Sequence, residues 1–385
     1  MSLAVLRHLP QGLLRRRPLM LTYFVSPRCN ARCGFCFYRG REGPELGLRE
    51  VKALARSTGP LLWLALSGGE VFLRDDLVEV VEAFHEHCSP DFILVPTNGL
   101  MPQRIREATE EILKRCPRSQ VVLKLSLDGP PGVHDSLRGR PGAYSLLMRT
   151  YRLLRPLAQR EPRLQLGFNT VLCAQNQHHL LGLLRYVRDV LSEVHTISAV
   201  RGQVPRGFKA LEPELYLRYA RLLEARHLYG FSLSGLKAAQ DVLRHRFVYR
   251  ELRGQGRPMP CYAGRLTVVV AHDGRVYPCE AMLPLMGHLG EHGYSLRRLL
   301  RSPRAQEAVR ALRHCHCSHE CYISMNILFN PALYPRLFLN YLRVALLRTV
   351  RKSPLLTHSP RRLRAPRTTA LRSPRLLRAR SLLSQ

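Results

Sequence analysis

Hydrophobic and polar positions follow two alternating periods along the first 200 residues. Apolar runs rich in β-branched and aromatic residues predict strands at 20–26, 61–67, 92–98, 120–129, 163–172 and 194–202. Between them, apolar residues recur every three to four positions and predict helices at 46–58, 75–87, 102–115, 144–154 and 177–191. We expect Pro156 to end the fourth helix. Six strands alternating with helices predict an α/β fold with a parallel sheet, either a six-unit partial barrel or an open doubly wound sheet.

The pattern changes after residue 203. A mostly helical linker precedes a predicted hairpin at 265–280, whose turn is Asp273-Gly274. A cysteine-rich stretch at 315–321 and an apolar stretch with scattered Arg at 327–348 follow, and the acid-free remainder predicts disorder. These changes divide the chain into six segments: a lead-in (1–19), an α/β core (20–215), a helical linker (216–260), a hairpin and cysteine-rich domain (261–325), an amphipathic helical segment (326–350) and a basic tail (351–385).

Charge and cysteine content narrow the class of protein. The 385 residues carry a formal net charge of +32, and no Asp or Glu occurs from Cys321 to Gln385. Such a charge fits an acidic partner (nucleic acid, an anionic membrane or an acidic substrate) or simply an Arg-rich composition. The eleven cysteines are clustered, which favours metal ligation in a reducing compartment over a disulfide scaffold. No apolar run is long enough to span a membrane, so we expect a cytoplasmic protein.

Three cysteines follow the first predicted strand with the spacing Cys29-x3-Cys33-x2-Cys36. Thiolates are the usual ligands of iron–sulfur clusters, and three of them leave one iron of a cubane open to another ligand. Phe35, beside the last cysteine, would shield such a cluster from water. The spacing by itself also suits a zinc site, a redox dithiol, or a saturated cluster with a remote fourth ligand.

Glycine-rich and polar motifs stand where the next strands end. They are Ser67-Gly68-Gly69-Glu70, Thr97-Asn98-Gly99, Ser126-Leu127-Asp128-Gly129 with His134-Asp135 and Arg138-Gly139 beyond it, and Asn169-Thr170-Val171-Leu172 with Asn176. Ligands gather at the carboxyl ends of parallel strands, so we expect these motifs to surround one site together with the cysteines. Each motif taken alone also occurs as an ordinary turn or a solvated surface segment.

The motifs CNARCGFC, SGGE, TNG and SLDG, in this order, resemble the radical S-adenosylmethionine (SAM) superfamily over about residues 20–215. The resemblance implies a partial (β/α)6 TIM-like barrel, and a [4Fe–4S] cluster on Cys29, Cys33 and Cys36 whose open iron binds SAM. It further implies a SAM site that comprises Phe35, Gly68, Gly69, Glu70, Asn98, Ser126, Arg138, Asn169 and Val200. The implied reaction is reductive cleavage of SAM to a 5′-deoxyadenosyl radical, which abstracts a hydrogen atom from a substrate.

Five further cysteines follow the core. Cys261 and Cys279 flank the predicted hairpin with the pattern C-x12-G-x4-C, and Cys315, Cys317 and Cys321 lie in a short knot. This arrangement resembles the SPASM/twitch extension of radical SAM enzymes, although a full SPASM pattern has seven cysteines. We therefore predict a twitch-like domain with one auxiliary [4Fe–4S] cluster on Cys261, Cys279 and two of the other three.

A structural zinc ribbon is the alternative for this second group, with His316 and His319 as further candidate ligands. Cys88, Cys116 and Cys173 lie apart from both groups, and we expect them to be small buried hydrophobic residues.

The leading prediction is a radical SAM enzyme acting on an unidentified peptide, sugar or lipid-linked molecule. Its expected partners are that substrate and an electron donor such as flavodoxin or ferredoxin, with a peripheral contact to an anionic membrane through the basic C-terminal segment. The short lead-in leaves no room for an N-terminal peptide-binding domain, which argues against a ribosomal peptide. The alternative is a basic nucleic-acid-binding protein with structural metal sites; its tail lacks aromatic residues for base stacking, so no specific nucleic acid is predicted.

Overall fold

The computed structural model describes residues 3–224, 233–256, 258–312, 315 and 317–351. The strands are β1 (Met20–Ser26), β2 (Trp63–Gly68), β3 (Phe92–Thr97), β4 (Gln120–Ser126), β5 (Leu164–Leu172), β6 (Val194–Ala199), β7 (Thr267–Val270), β8 (Arg275–Tyr277) and β9 (Gly287–His288). The helices of the core are α1 (Leu3–Leu14), α2 (Leu48–Thr58), α3 (Leu77–Cys88), α4 (Pro102–Arg115), α5 (Pro131–Arg138), α6 (Ala143–Arg160) and α7 (Leu180–Arg185). The later helices are α8 (Arg206–Lys209), α9 (Pro213–Glu224), α10 (Leu233–Leu252), α11 (Leu296–Leu300), α12 (Pro303–Ala311), α13 (Glu320–Leu328) and α14 (Tyr334–Arg351).

The first six strands lie side by side in chain order, and each pairs in parallel with the next. Helices between consecutive strands pack their apolar residues onto one face of this sheet and form the main hydrophobic core. β1, in the middle of the sheet, is buried at all seven positions, whereas buried and more exposed residues alternate along β3 and β6. The predicted α/β fold with a partial (β/α)6 barrel is confirmed.

The predicted hairpin forms, with Gly274 at φ +88° in its turn. It is not isolated, however: β7 pairs in parallel with β1, from Met20 opposite Thr267 to Tyr23 opposite Val270. The sheet therefore has nine strands in the order β6-β5-β4-β3-β2-β1-β7-β8-β9. All four residues of β7 are buried, and pairing with β1 satisfies their backbone groups.

The largest departures from the predicted helix bounds are in α6 and α7. Helix α6 continues through Pro156 to Arg160. Proline inside a helix costs about 3 kcal/mol, but Leu154 is fully buried and Leu157 packs on the core, and these contacts hold the helix on both sides of the proline. Helix α7 begins at Leu180 rather than 177, and a π-helical turn, Tyr186–Leu191, continues it.

The concave side of the barrel has an apolar floor. Met20 and Ala65 of the sheet pack there against Met325 and Phe329, which follow the second cysteine group, and against α1. Gly12 of α1 lies so close that a Cβ on it would stand 2.0 Å from the Phe329 ring. The predicted lead-in is thus a helix that closes the barrel.

Among the described residues no helix is long and apolar enough to cross a membrane. Of the tail that was predicted to be disordered, only the first residue belongs to the described part of the chain.

Candidate active site

The first cysteine loop lies between β1 and α2, at the carboxyl end of the sheet. Cys33 is buried, Cys36 is half-buried and Cys29 is exposed, and the Cys36 amide donates a hydrogen bond to the Cys33 carbonyl over 3.3 Å. Burial raises the pKa of the Cys33 thiol. Buried thiols of this kind become thiolates only beside positive charge, and a bound metal cluster supplies such charge.

The Ser67–Glu70 motif holds the entrance of this loop. The Gly69 amide donates to the Ser26 carbonyl and the Glu70 amide to the Arg28 carbonyl, each over 2.8 Å. A Cβ on Gly69 would stand 2.0 Å from the Arg28 carbonyl oxygen, and one on Gly68 would stand 2.4 Å from that of Ser26. The close backbone approach that these glycines permit is therefore with the protein's own loop.

We expect Gly69→Ala to disturb the cysteine loop, because no side chain rotation can relieve a clash between a Cβ and a backbone carbonyl. The variant should incorporate less iron on anaerobic reconstitution than the wild type. Gly132→Ala is the matched control, since a Cβ on Gly132 meets nothing within 4 Å. Equal iron contents in the two variants would contradict the role of Gly69.

Glu70 ties the end of β3 to the cysteine loop. Its buried carboxylate accepts hydrogen bonds from the Thr97 hydroxyl at 2.8 Å and from the Asn98 amide at 2.7 Å. The Asn98 side chain in turn donates to the Asn30 side chain at 2.7 Å and contacts the Cys29 sulfur at 3.9 Å. Burial raises the pKa of Glu70 to about 7. Glu70 therefore holds the end of β3 beside the cysteine loop, and Asn98 contacts the sulfur of Cys29, a predicted cluster ligand.

Arg138, at the end of α5, contacts a second cysteine. Its guanidinium pairs with the Asp128 carboxylate at 2.6 Å, lies 3.7 Å from the Cys33 sulfur and stacks 5.6 Å from the centre of the Phe35 ring. The Arg138 carbonyl also accepts a hydrogen bond from the Arg32 amide at 2.8 Å. Among the described residues the buried Nε of Arg138 has no hydrogen-bond partner. The guanidinium of Arg138 is thus held by Asp128, and its buried Nε remains available to donate a hydrogen bond to a ligand.

Arg138→Ala should destabilise the fold by about 3–5 kcal/mol, because it leaves the Asp128 carboxylate buried without a counterion. The two side chains are only 9% and 0% exposed. Urea unfolding measures the loss of stability. Arg106→Ala is the control: Arg106 forms an exposed ion pair with Glu110, worth about 0–1 kcal/mol. Similar unfolding midpoints for both variants would show that the Arg138 pair is not a buried one in solution.

The remaining predicted SAM contacts line the same edge. Ser126 and Asn169 are directly opposite each other on β4 and β5. The Asn169 side-chain oxygen accepts hydrogen bonds from the hydroxyls of Thr196, at 2.9 Å, and Ser198, at 3.3 Å. Val200 packs in a small apolar cluster with Cys33 and Phe35.

Phe208 was not singled out by the sequence, and Cys173 was predicted to lie apart from both cysteine groups, but both residues belong to this region. Phe208 of α8 meets the Phe35 ring edge-on at 6.2 Å and covers Gly34, and it helps to line a cavity of about 330 Å³ beside the cysteine loop. Cys173 is fully buried, as are Cys88 and Cys116, but it lies in the same apolar cluster as Cys33. No sequence motif marks Phe208, because it belongs to a four-residue helix far along the chain.

The second cysteine group also comes together in the fold. Cys261, Cys279, Cys315 and Cys321 pack into one cluster with Tyr322, and Cys36 of the first group packs against the same cluster. Cys317 lies close enough to Cys279 to interact electrostatically with it. Burial raises the pKa of Cys279 to about 12 and that of Cys321 to about 11. These thiols, like those of the first loop, need a cationic partner to ionise.

Of the two candidate histidine ligands of this group, the structure describes only His319. His319 is buried, with Nε2 3.0 Å from the Glu280 carboxylate, and His316 lies outside the described residues. Within the part of the chain that the structure describes, no three His, Cys, Asp or Glu side chains converge closely enough to bind a single ion. A cubane distributes its thiolates over separate irons, so its ligands need not converge on one point.

An ion-pair network with buried carboxylates joins the barrel to the second cysteine group. Arg201, just after β6, contacts Glu280 at 2.9 Å and Glu320 at 3.4 Å, and Glu320 also accepts the Ala199 amide at 2.7 Å. Burial opposes ionisation of Glu280, but Arg201 and His319 outweigh it and lower its pKa to about 2. Sequence reasoning missed this network because its members are far apart in the chain.

Comparison with known proteins places this site in a family context. Residues 23–187 match the family model of the radical SAM superfamily. The antilisterial bacteriocin subtilosin biosynthesis protein AlbA of Bacillus subtilis is 28% identical over 144 residues, which are 36% of this chain and 30% of AlbA. The sporulation killing factor maturation protein SkfB of the same organism is 24% identical over 71% of this chain and 63% of SkfB. The chain therefore spans less than two thirds of both relatives.

Solved structures resemble the fold over most of the chain. The structure of anSMEcpe with bound AdoMet has a TM-score of 0.56 at 16% identity and covers 85% of this chain and 100% of its own. Streptococcus suis SuiB bound to the precursor peptide SuiA has a TM-score of 0.55 at 14% identity, over 79% of this chain and 70% of SuiB. At these identities the likeness is one of fold.

Proposed function

We propose that this chain, whose residues 23–187 match the family model of the radical SAM superfamily, is an enzyme of that superfamily, and that Cys29, Cys33 and Cys36 hold its [4Fe–4S] cluster with SAM on the open iron. The observation that carries the proposal is the set of contacts that converge on this loop from the ends of β2 and β3 and from α5, which follows β4. Gly69 fixes its entrance, Asn98 reaches Cys29, and Arg138 reaches Cys33. Bound there and reduced, the cluster and SAM supply a 5′-deoxyadenosyl radical able to abstract a hydrogen atom from a substrate.

The chain's own residues orient the cofactor and exclude water. Phe35, Val200 and Leu137 form an apolar wall around Cys33, which keeps water from that side of the cluster. The unpartnered Nε of Arg138 is a donor for the SAM carboxylate, while Asp128 keeps the guanidinium in place. Asn169, oriented by Thr196 and Ser198, is available to the ribose.

We also propose an auxiliary [4Fe–4S] cluster on the second cysteine group. Cys261 and Cys279 stand at the flanks of a hairpin that is continuous with the core sheet, so their positions are tied to the barrel. The Arg201 network ties the other side of the group to β6. Two of Cys315, Cys317 and Cys321 would complete the set of four thiolates.

A peptide is the substrate class that we favour. Two relatives are named for bacteriocin biosynthesis and for killing factor maturation, and SuiB binds a precursor peptide in its structure. The contact with an anionic membrane stays a prediction. In the described part, α14 exposes Phe338 and Leu339 between Arg336 and Arg343, a pattern that suits such a surface.

Anaerobic reduction of the reconstituted full-length chain with SAM tests the proposed activity. Release of 5′-deoxyadenosine, driven by dithionite or by a flavodoxin or ferredoxin donor, separates the enzyme from a nucleic-acid-binding protein with structural metals. Incubation with deuterated peptides tests the substrate class, because hydrogen abstraction moves deuterium into 5′-deoxyadenosine. A reconstituted, SAM-binding protein that releases none of this product under either donor would contradict the proposal.

A further inference from the structure

Lys124 lies on the concave side of the barrel, in the middle of β4. The outward residues Leu123 and Leu125 belong to the main core, so Lys124 and Ser126 share the opposite face by strand alternation. Lys124 is opposite Gly167 on β5. A Cβ on Gly167 would stand 3.0 Å from the Lys124 ammonium, which shows that the amine lies directly over this glycine. The sheet therefore makes room for a cation inside the barrel.

The ammonium of Lys124 has no hydrogen bond or ion pair in the described structure. Its charged neighbours are Lys237, Asp241 and Arg244 on α10, with Glu193 before β6. Asp241 is already engaged, because it forms ion pairs with both Lys237 and Arg244, the latter at 2.8 Å. Glu193 accepts a hydrogen bond from the Tyr151 hydroxyl at 3.1 Å. Three cations and two carboxylates thus meet in this part of the barrel, and Asp241 is already shared between two of the cations.

We propose that Lys124, with Lys237 and Arg244, forms an anion subsite that binds a carboxylate or phosphate group of the substrate. The inference rests on the proposed function, since it takes the interior of the barrel as the place where the substrate lies. Lys124 and Gly167 are the next inward-facing pair below Ser126 and Asn169, the proposed SAM contacts. Two residues along a strand place the subsite about 7 Å deeper than those contacts. A substrate anchored there would extend toward the cofactor.

The electrostatics of the pocket agree with this assignment. Burial is the main cause that lowers the pKa of Lys124 to about 8, and Lys237 and Arg244 lower it further against the opposing effect of Glu193 and Asp241. A bound anion offsets the repulsion among the three cations and should raise that pKa again.

Competitive labelling of the amines tests the subsite directly. The chain has only six lysines, so brief acetylation with acetic anhydride and peptide mass spectrometry resolve each one. Inorganic phosphate and succinate serve as separate probes, at constant ionic strength set with sodium chloride. At about ten times its Kd, a probe should slow acetylation of Lys124 about tenfold by mass action. Lys114, which is 76% exposed, is the control and should react at the same rate throughout.

The two probes distinguish the source of the anion: protection by phosphate alone indicates a phosphorylated substrate, and protection by succinate indicates a carboxylate, as in an acidic peptide. Lys124→Met should abolish protection of Lys237 by the effective probe, whereas Lys114→Met should preserve it. Unprotected Lys124 with both probes, or protection of Lys237 that survives Lys124→Met, would overturn the subsite. Labelling does not depend on SAM cleavage, so failure of the subsite and failure of the proposed function are distinguishable.

Discussion

Replacing Cys29, Cys33 and Cys36 together with Ala is expected to abolish formation of 5′-deoxyadenosine. Without these thiolates the first loop offers no ligands to iron, and SAM loses the metal to which it would bind. The measurement is anaerobic turnover of the reconstituted variant, with product quantified by mass spectrometry and folding checked by circular dichroism.

Cys116→Ala is the matched control for this experiment. Cys116 is also a cysteine and is fully buried. It packs in the main hydrophobic core and is distant in sequence from both cysteine groups. It should lower stability without changing iron content. Product formation by the triple variant at the wild-type rate would exclude the first loop as the catalytic cluster site.

Iron content should distinguish one cluster from two. Two cubanes predict ~8 irons per chain in the wild type and ~4 in the Cys29, Cys33 and Cys36 triple variant, at four irons per cubane. The reason is that the second cysteine group is assembled by contacts that the triple variant leaves intact, namely the pairing of β7 with β1 and the Arg201 network. The measurement is iron, sulfide and zinc per chain after anaerobic reconstitution.

The second cysteine group offers its own controls. Single Ala variants at Cys315, Cys317 and Cys321 should identify the spare cysteine as the one whose loss leaves the iron count unchanged. Cys173→Ala should also leave it unchanged, although Cys173 packs near Cys33. Zinc in place of the residual iron of the triple variant would establish a zinc ribbon, and neither metal would mean that the second group binds none.

The Arg201 network fixes the position of the second cysteine group relative to the first. It joins β6, which ends beside the first group, to Glu280 and Glu320, which adjoin Cys279 and Cys321. Both carboxylates are buried, so separating them from Arg201 would leave uncompensated charges. Cys36 packing against the second group adds an apolar contact to this connection.

The sequence by itself determined that strands and helices alternate in a parallel α/β sheet and where the first cysteine loop lies, whereas the order in which the strands pair came from the structure. Apolar runs alternate with helical periods so regularly that the bounds of β1 and α4 were predicted to the residue. Local patterns suffice there because each strand is buried by the helix next to it in the chain. The motifs at the strand ends could be brought to one edge by topology alone, since parallel strands end on the same side.

Only the tertiary structure decided the contacts between distant segments. Pairing of β7 with β1, the closing of the barrel floor by α1, and the continuation of α6 through Pro156 all depend on packing that no local pattern encodes. The same is true of side-chain partners: Arg138 suggested a ligand contact in the sequence, and the fold gives it Asp128 as well. Lys124 appeared in the sequence as one cation among sixty. Its setting became visible only when the fold placed it opposite α10, because burial and neighbouring charge are properties of the assembled chain.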